Sequence, residues 1–143
     1  MKNISKFAFI AVFAPFALSG TPALADMMSA NTMLTAAEEV PPVKSPGTGA
    51  LDVTYDSAAK KLSWKGTFSG LTGKATAAHF HGPAAPGAKA GVEFPATVTG
   101  SPFEGSATLT DAQAADLAAG KIYFNIHTDA NPDGEIRGQV MMK

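Results

Sequence analysis

The chain has 143 residues, with 11 basic and 12 acidic side chains, three histidines and no cysteine. Without cysteine there is no disulfide framework, no thiol nucleophile and no thiolate metal site. The net charge of −1 argues against nucleic acid as a partner, and the length predicts a single domain.

The N-terminus has the three parts of a signal peptide. Lys2 and Lys6 are basic, residues 7–18 are apolar, and Ala23-Leu24-Ala25 is a small-residue cleavage site. The apolar part is shorter than the ~20 residues that a membrane-spanning helix needs. We therefore predict that residues 1–25 are removed on export and that the mature protein is periplasmic or secreted, without membrane insertion.

The mature chain is predicted to be all-β with one short helix. Residues 26–31 read as a flexible N-terminus, and residues 32–143 as one β-sandwich domain. Short alternating segments separated by Gly and Pro predict the strands. Their predicted ranges are 33–40, 50–55, 61–69, 74–81, 92–99, 105–109, 121–128 and 135–142. Thr110 or Asp111 as a cap and Gly120 as a stop predict a helix over 111–119.

Strand alternation predicts that all three histidines share one outer face of the sheet. Phe80 faces inward in the fourth predicted strand, so its neighbours His79 and His81 face outward. In the strand 121–128 the apolar residues face inward, which places His127 outward together with Tyr123 and Asn125.

This pattern has two interpretations. Two histidines on alternate strand positions and a third on an adjacent strand can bind one ion with an open coordination position. Three imidazoles without a thiolate favour copper or zinc over harder ions, and predict His79, His81 and His127 as ligands. The alternative is an ordinary polar surface or a hydrogen-bonding cluster that orders a loop.

Two further features of the sequence have more than one interpretation. Residues 129–134 match the start of a calcium-binding loop, but position 12 is Val140 and no helix flanks the loop, so we favour a hairpin turn. Arg137 could be an anion-guiding charge near the histidines, or pair with Glu135 or Asp133. No nucleotide-binding or hydrolase motif is present.

Several motifs in order resemble the CHRD domain, a module named after chordin. The residues that carry the resemblance are 34–43 (LTAAEEVPPV), 78–84 (AHFHGPA), 123–128 (YFNIHT) and 132–139 (PDGEIRGQ). The resemblance covers nearly the whole mature chain. It implies an immunoglobulin-like or Greek-key antiparallel β-sandwich, found as repeats in chordin and as a lone domain in bacterial exported proteins.

A second, more distant resemblance is to the copper-binding strand of Cu/Zn superoxide dismutases. It rests on Gly70-Leu71 followed by His79-x-His81, and it implies His127 as a third copper ligand. No bridging histidine, zinc cluster or disulfide accompanies it. We therefore expect binding of copper, with zinc as the second choice, rather than catalysis. The alternatives are an interaction module for an extracellular or periplasmic protein, and a dismutase-like redox enzyme.

Overall fold

The computed structural model describes residues 25–143. The predicted signal peptide therefore lies outside the described residues, except for Ala25. Eight strands and one helix follow in chain order: β1 (Met27–Thr35), β2 (Thr48–Asp56), β3 (Lys61–Ser69), β4 (Ala75–His81), β5 (Val92–Ala96), β6 (Phe103–Thr108), α1 (Asp111–Ala118), β7 (Ile122–Thr128) and β8 (Ile136–Val140). The all-β class with one short helix is confirmed.

The strands form one antiparallel sheet in the order β5-β4-β7-β8-β1-β2-β3-β6. Its two halves are joined at β1 and β8 by a single bridge pair, Thr35 with Arg137. The halves face each other, because Trp64 of β3 lies 4.9 Å from Phe80 of β4 between ring centroids. The core is thus enclosed between two halves of one curled sheet, rather than between two separate sheets.

The N-terminal prediction is wrong in one respect. Residues 26–31 were expected to be flexible, but β1 begins at Met27 and pairs with β2 along its whole length. The alternation of inward and outward side chains in β1 is weak in the sequence, because the inward positions include the small Ala30 and the polar Thr32. A three-residue 3-10 turn, Ala36–Glu38, then ends the strand before the two prolines.

The remaining elements follow their sequence signals closely. The β2–β3 hairpin has the predicted pairing, with Leu51, Val53 and Tyr55 buried. Helix α1 has the predicted Thr110 cap, whose hydroxyl accepts from the backbone of Gln113. On β4, Ala78 and Phe80 face the core as predicted. The register shifts between residues 75 and 77, and Thr76 is exposed rather than buried.

The buried carboxylate of Glu135, at the end of the β7–β8 connection, holds three segments of the chain together through hydrogen bonds. Glu135 has no solvent exposure. It accepts hydrogen bonds from the Ser45 hydroxyl at 2.5 Å, the Thr72 backbone amide at 2.6 Å and the Thr128 hydroxyl at 2.6 Å. Burial alone would raise the pKa of Glu135, but these hydrogen bonds outweigh it and lower the pKa to about 2.

Candidate metal centre

The three histidines lie on two neighbouring strands, β4 and β7. In the antiparallel register His79 is opposite Asn125, His81 is opposite Tyr123, and His127 is opposite Ala77. The residues that alternate with them, Ala78, Phe80, Phe124 and Ile126, are buried in the core. The structure therefore brings all three histidines to one face, which we call the histidine face: His79, His81, Tyr123, Asn125 and His127.

Each imidazole offers a nitrogen within 4.8 Å of the others. The closest approach is 3.0 Å, between Nδ1 of His79 and Nε2 of His127. Two nitrogens bonded to one ion at ~2.0 Å lie about 2.8–3.3 Å apart at 90–109°, and about 4 Å apart on opposite sides. Shifts of less than about 1 Å would therefore close the cluster around one ion. Among residues 25–143 this is the one group of three or more candidate ligands.

Backbone carbonyls orient two of the rings. Nδ1 of His127 lies 2.8 Å from the Pro132 carbonyl oxygen, and Nδ1 of His81 lies 3.1 Å from that of Ala90. A carbonyl only accepts, so each Nδ1 that donates to it leaves Nε2 with its lone pair free. Metal-binding histidines in proteins are oriented by hydrogen bonds of this kind.

Three of the five residues of the histidine face are buried, and His79 and His127 are partly exposed. His81 is 8% exposed, Tyr123 3% and Asn125 2%. Residues 82–91, which we call the covering segment, fold back over the sheet. Side chains of the sheet hold the covering segment through its carbonyls: Gln139 donates to Ala84, Arg137 to Ala88, and Tyr123 to Ala90. The face is therefore not a fully exposed polar surface, although His79 and His127 are partly accessible to solvent.

Arg137 is part of this cover. Its guanidinium carbon lies 3.5 Å from the centroid of the Tyr123 ring, and the same ring stacks on His81 at 4.8 Å with an angle of 2°. Arg137 is 2% exposed. Its expected pairing with Glu135 or Asp133 is wrong, because the one ion pair within residues 25–143 joins Lys60 and Asp111.

Burial favours the uncharged form of two histidines. It lowers the pKa of His79, and the neighbouring His127 and His81 lower it further. Burial also lowers the pKa of His81, although hydrogen bonds with Ala90 and Asn125 oppose this shift. Neutral imidazole is the form that binds metal ions.

Glu39 is a site residue that the sequence reasoning missed. It is 7% exposed, and its Oε1 accepts a hydrogen bond from Nδ2 of Asn125 at 3.4 Å. Burial raises the pKa of Glu39, while Asn125 and Arg137 oppose the rise. The 3-10 turn before it carries the side chain to the histidine face, and no spacing rule predicts this placement.

The residues of the possible calcium loop form the β7–β8 connection. Asp129 accepts a hydrogen bond from the Lys74 backbone at 2.9 Å, and Asn131 donates to the Thr72 hydroxyl at 3.1 Å. Asp133 is exposed. The hydrogen bonds of Asp129 and Asn131 stabilise the turn, which agrees with the interpretation of this segment as a hairpin turn.

A comparison with protein families identifies the family of this chain. The CHRD domain family matches residues 30–140, and the chain therefore belongs to the CHRD domain family. CHRD domains are modules of the extracellular type. Comparison with curated proteins and with solved structures gave no match. Within residues 25–143, no helix is long and apolar enough to cross a membrane.

Proposed function

We propose that this protein is an exported CHRD-domain protein that binds a copper ion through His79, His81 and His127. The observation that carries the proposal is the convergence of three imidazole nitrogens to within 4.8 Å of one another on one face of the sheet. These are the only histidines in the sequence. The carbonyl partners of His81 and His127 support it, because they present Nε2 of both rings as ligands.

The donor set favours copper over zinc. A site of three neutral nitrogens binds Cu(II) more tightly than the other divalent first-row ions, including Zn(II). The arrangement resembles type-2 copper sites, and its role is binding or handling the ion rather than turnover. Export to the periplasm or outside the cell, as the N-terminal sequence predicts, would expose the protein to extracellular copper.

Copper titration followed by electron paramagnetic resonance tests the proposal. The mature protein, residues 26–143, should bind one Cu(II) and show hyperfine structure from imidazole nitrogens. The His79→Ala variant should lose part of that structure and bind more weakly. Ser63→Ala, on β3 in the other half of the sheet, is the control and should behave like the parent protein.

Two outcomes would contradict the proposal. One is a weak copper spectrum that is identical in the parent protein and His79→Ala. The other is a stoichiometric signal that His79→Ala and His127→Ala both leave unchanged, because copper would then be bound elsewhere.

A second candidate function is an extracellular interaction module without metal. A cavity of about 240 Å³ lies beside the histidine face and is lined by Glu39, Lys89 and Asp133 among others. An unchanged spectrum in His79→Ala would favour this function.

The third candidate, a dismutase-like enzyme, predicts superoxide consumption by the copper-loaded protein. A superoxide assay separates that activity from simple copper binding.

A further inference from the structure

Asn125 occupies the centre of the histidine face. It is the direct cross-strand partner of His79, and it lies between Tyr123 and His127 on the same side of β7. Its Oδ1 is 3.0 Å from Nε2 of His81, and it is 2% exposed. The amide oxygen therefore contacts the imidazole of His81, and Asn125 lies between the strand positions of the three histidines that carry the proposed copper site.

Glu39 sets the orientation of this amide. A carboxylate accepts hydrogen bonds, so the Asn125 NH₂ group points to Glu39 Oε1 and the amide oxygen points to His81. The reversed amide would place two oxygen atoms against each other. The oxygen at the centre of the face is thus held in place by a buried neighbour.

His81 then has an oxygen atom at each ring nitrogen. Nδ1 faces the carbonyl of Ala90 and Nε2 faces Oδ1 of Asn125. A neutral imidazole has one N–H, so it can donate to one of these oxygens and presents a lone pair to the other. With Nδ1 donating to Ala90, two lone pairs meet between His81 Nε2 and Asn125 Oδ1. A cation bonded to both atoms would resolve this contact.

The distance fits that role. A nitrogen and an oxygen bonded to the same ion at about 2.0–2.2 Å, with an angle near 90°, lie about 3.0 Å apart. We propose that Oδ1 of Asn125 is a fourth donor of the copper site, completing a set of three nitrogens and one oxygen. This inference rests on the proposed copper site.

The oxygen would also set which oxidation state the site prefers. An amide oxygen is a harder ligand than imidazole, and the softer Cu(I) favours thiolate and thioether ligands. Loss of the oxygen should therefore weaken Cu(II) binding more than Cu(I) binding. A merely structural role of Asn125 would change both affinities alike.

Two substitutions test the assignment. Asn125→Leu keeps the approximate size and removes the oxygen, and Asn125→Asp keeps an oxygen in place with a negative charge. We expect Asn125→Leu to raise the Kd for Cu(II) about tenfold and to alter the copper hyperfine coupling, with the Kd for Cu(I) changed less than about threefold. Asn125→Asp should lower the Kd for Cu(II). The Kd values come from competition with chromophoric chelators, and thermal unfolding without metal checks the fold.

The outcomes separate this inference from the copper site itself. If the parent protein shows no imidazole signal, the copper site fails and the fourth donor fails with it. If the parent protein shows the signal and both variants keep its spectrum and Cu(II) affinity, only the role of Asn125 is overturned. Equal weakening for Cu(I) and Cu(II) would also overturn it. Should Asn125→Leu not fold, Asn125→Asp decides: tighter Cu(II) binding supports the donor, and unchanged binding contradicts it.

Discussion

Nδ1 of His79 lies 3.0 Å from Nε2 of His127, although the residues are 48 positions apart in the chain. They are not direct cross-strand partners, since His127 is opposite Ala77. The Cα atoms of diagonal neighbours in a sheet are usually about 7–8 Å apart. The two rings therefore lean toward each other across β4 and β7, and a metal ion that replaced the shared hydrogen would keep this arrangement.

Metal binding should stabilise the folded protein. An ion that binds only the folded state at 100 times its Kd adds about 2.7 kcal/mol to the free energy of unfolding. For a domain of this size that corresponds to a rise in Tm of roughly 10 °C. Thermal unfolding with Cu(II), and again after chelation, measures the effect. His81→Ala should abolish the rise, and an equal rise in that variant would contradict the site.

Glu135 should make stability depend on acidic pH. Its pKa is about 2 in the folded protein, against an ordinary value of 4.5. The stabilisation is therefore complete above pH 4.5 and is lost as the pH falls from 4.5 toward 2. A shift of this size corresponds to about 3 kcal/mol.

Glu135→Gln should lower the free energy of unfolding at pH 7 by about 3 kcal/mol, because the Gln side chain brings a donor into a pocket of donors. Denaturant unfolding at pH 7, 4 and 3 measures this difference for the parent protein and the variant. The difference should shrink as the pH falls. A difference that is the same at all three pH values would show that Glu135 has the same pKa in the folded and unfolded states, and would contradict the lowered pKa.

Arg137→Lys should loosen the covering segment. Lysine keeps the charge near Glu39, but it cannot stack its head group flat on Tyr123 while donating to the Ala88 carbonyl. We expect the loss of about 1 kcal/mol of local stability and a several-fold faster hydrogen exchange of the amides in residues 84–90. Amides of the β2–β3 hairpin serve as the internal control, and unchanged exchange over 84–90 would refute the holding role of Arg137.

Phe80→Ala should destabilise the whole domain. Phe80 has no solvent exposure and contacts the rings of Trp64, Phe94 and Phe124 at centroid distances of 4.9, 4.7 and 4.9 Å. Removal of such a ring costs about 3–5 kcal/mol. Denaturant unfolding of the metal-free protein checks this value. Val92→Ala, at an exposed position of β5, should cost less than about 0.5 kcal/mol.

The alternation of inward and outward residues along β4 and β7 was enough to predict most of the candidate site. The inward position of Phe80 determines the outward position of His79 and His81, and the apolar residues of β7 do the same for His127. This works because side chains of a strand alternate strictly between the two faces. Apart from β1, the strand limits were also close, since Gly, Pro and Asp mark most of the turns.

The features that could not be predicted involve contacts between distant segments. Nothing in the spacing of Glu39 shows that it meets Asn125, 86 positions away. Sequence patterns also do not predict that residues 82–91 cover the histidine face, because this segment is held in place through its backbone carbonyls. The start of β1 was missed because Ala30 and Thr32 are weak markers of an inward face.

The acceptors that orient His81 and His127 are carbonyl oxygens, and every amino acid supplies one. Related chains could therefore replace Ala90 or Pro132 by many other residues and still orient both rings. An insertion or deletion between His81 and Ala90 would move the acceptor and could not be compensated by any side chain at that position. The site thus depends on the length of its loops as well as on the identity of its histidines.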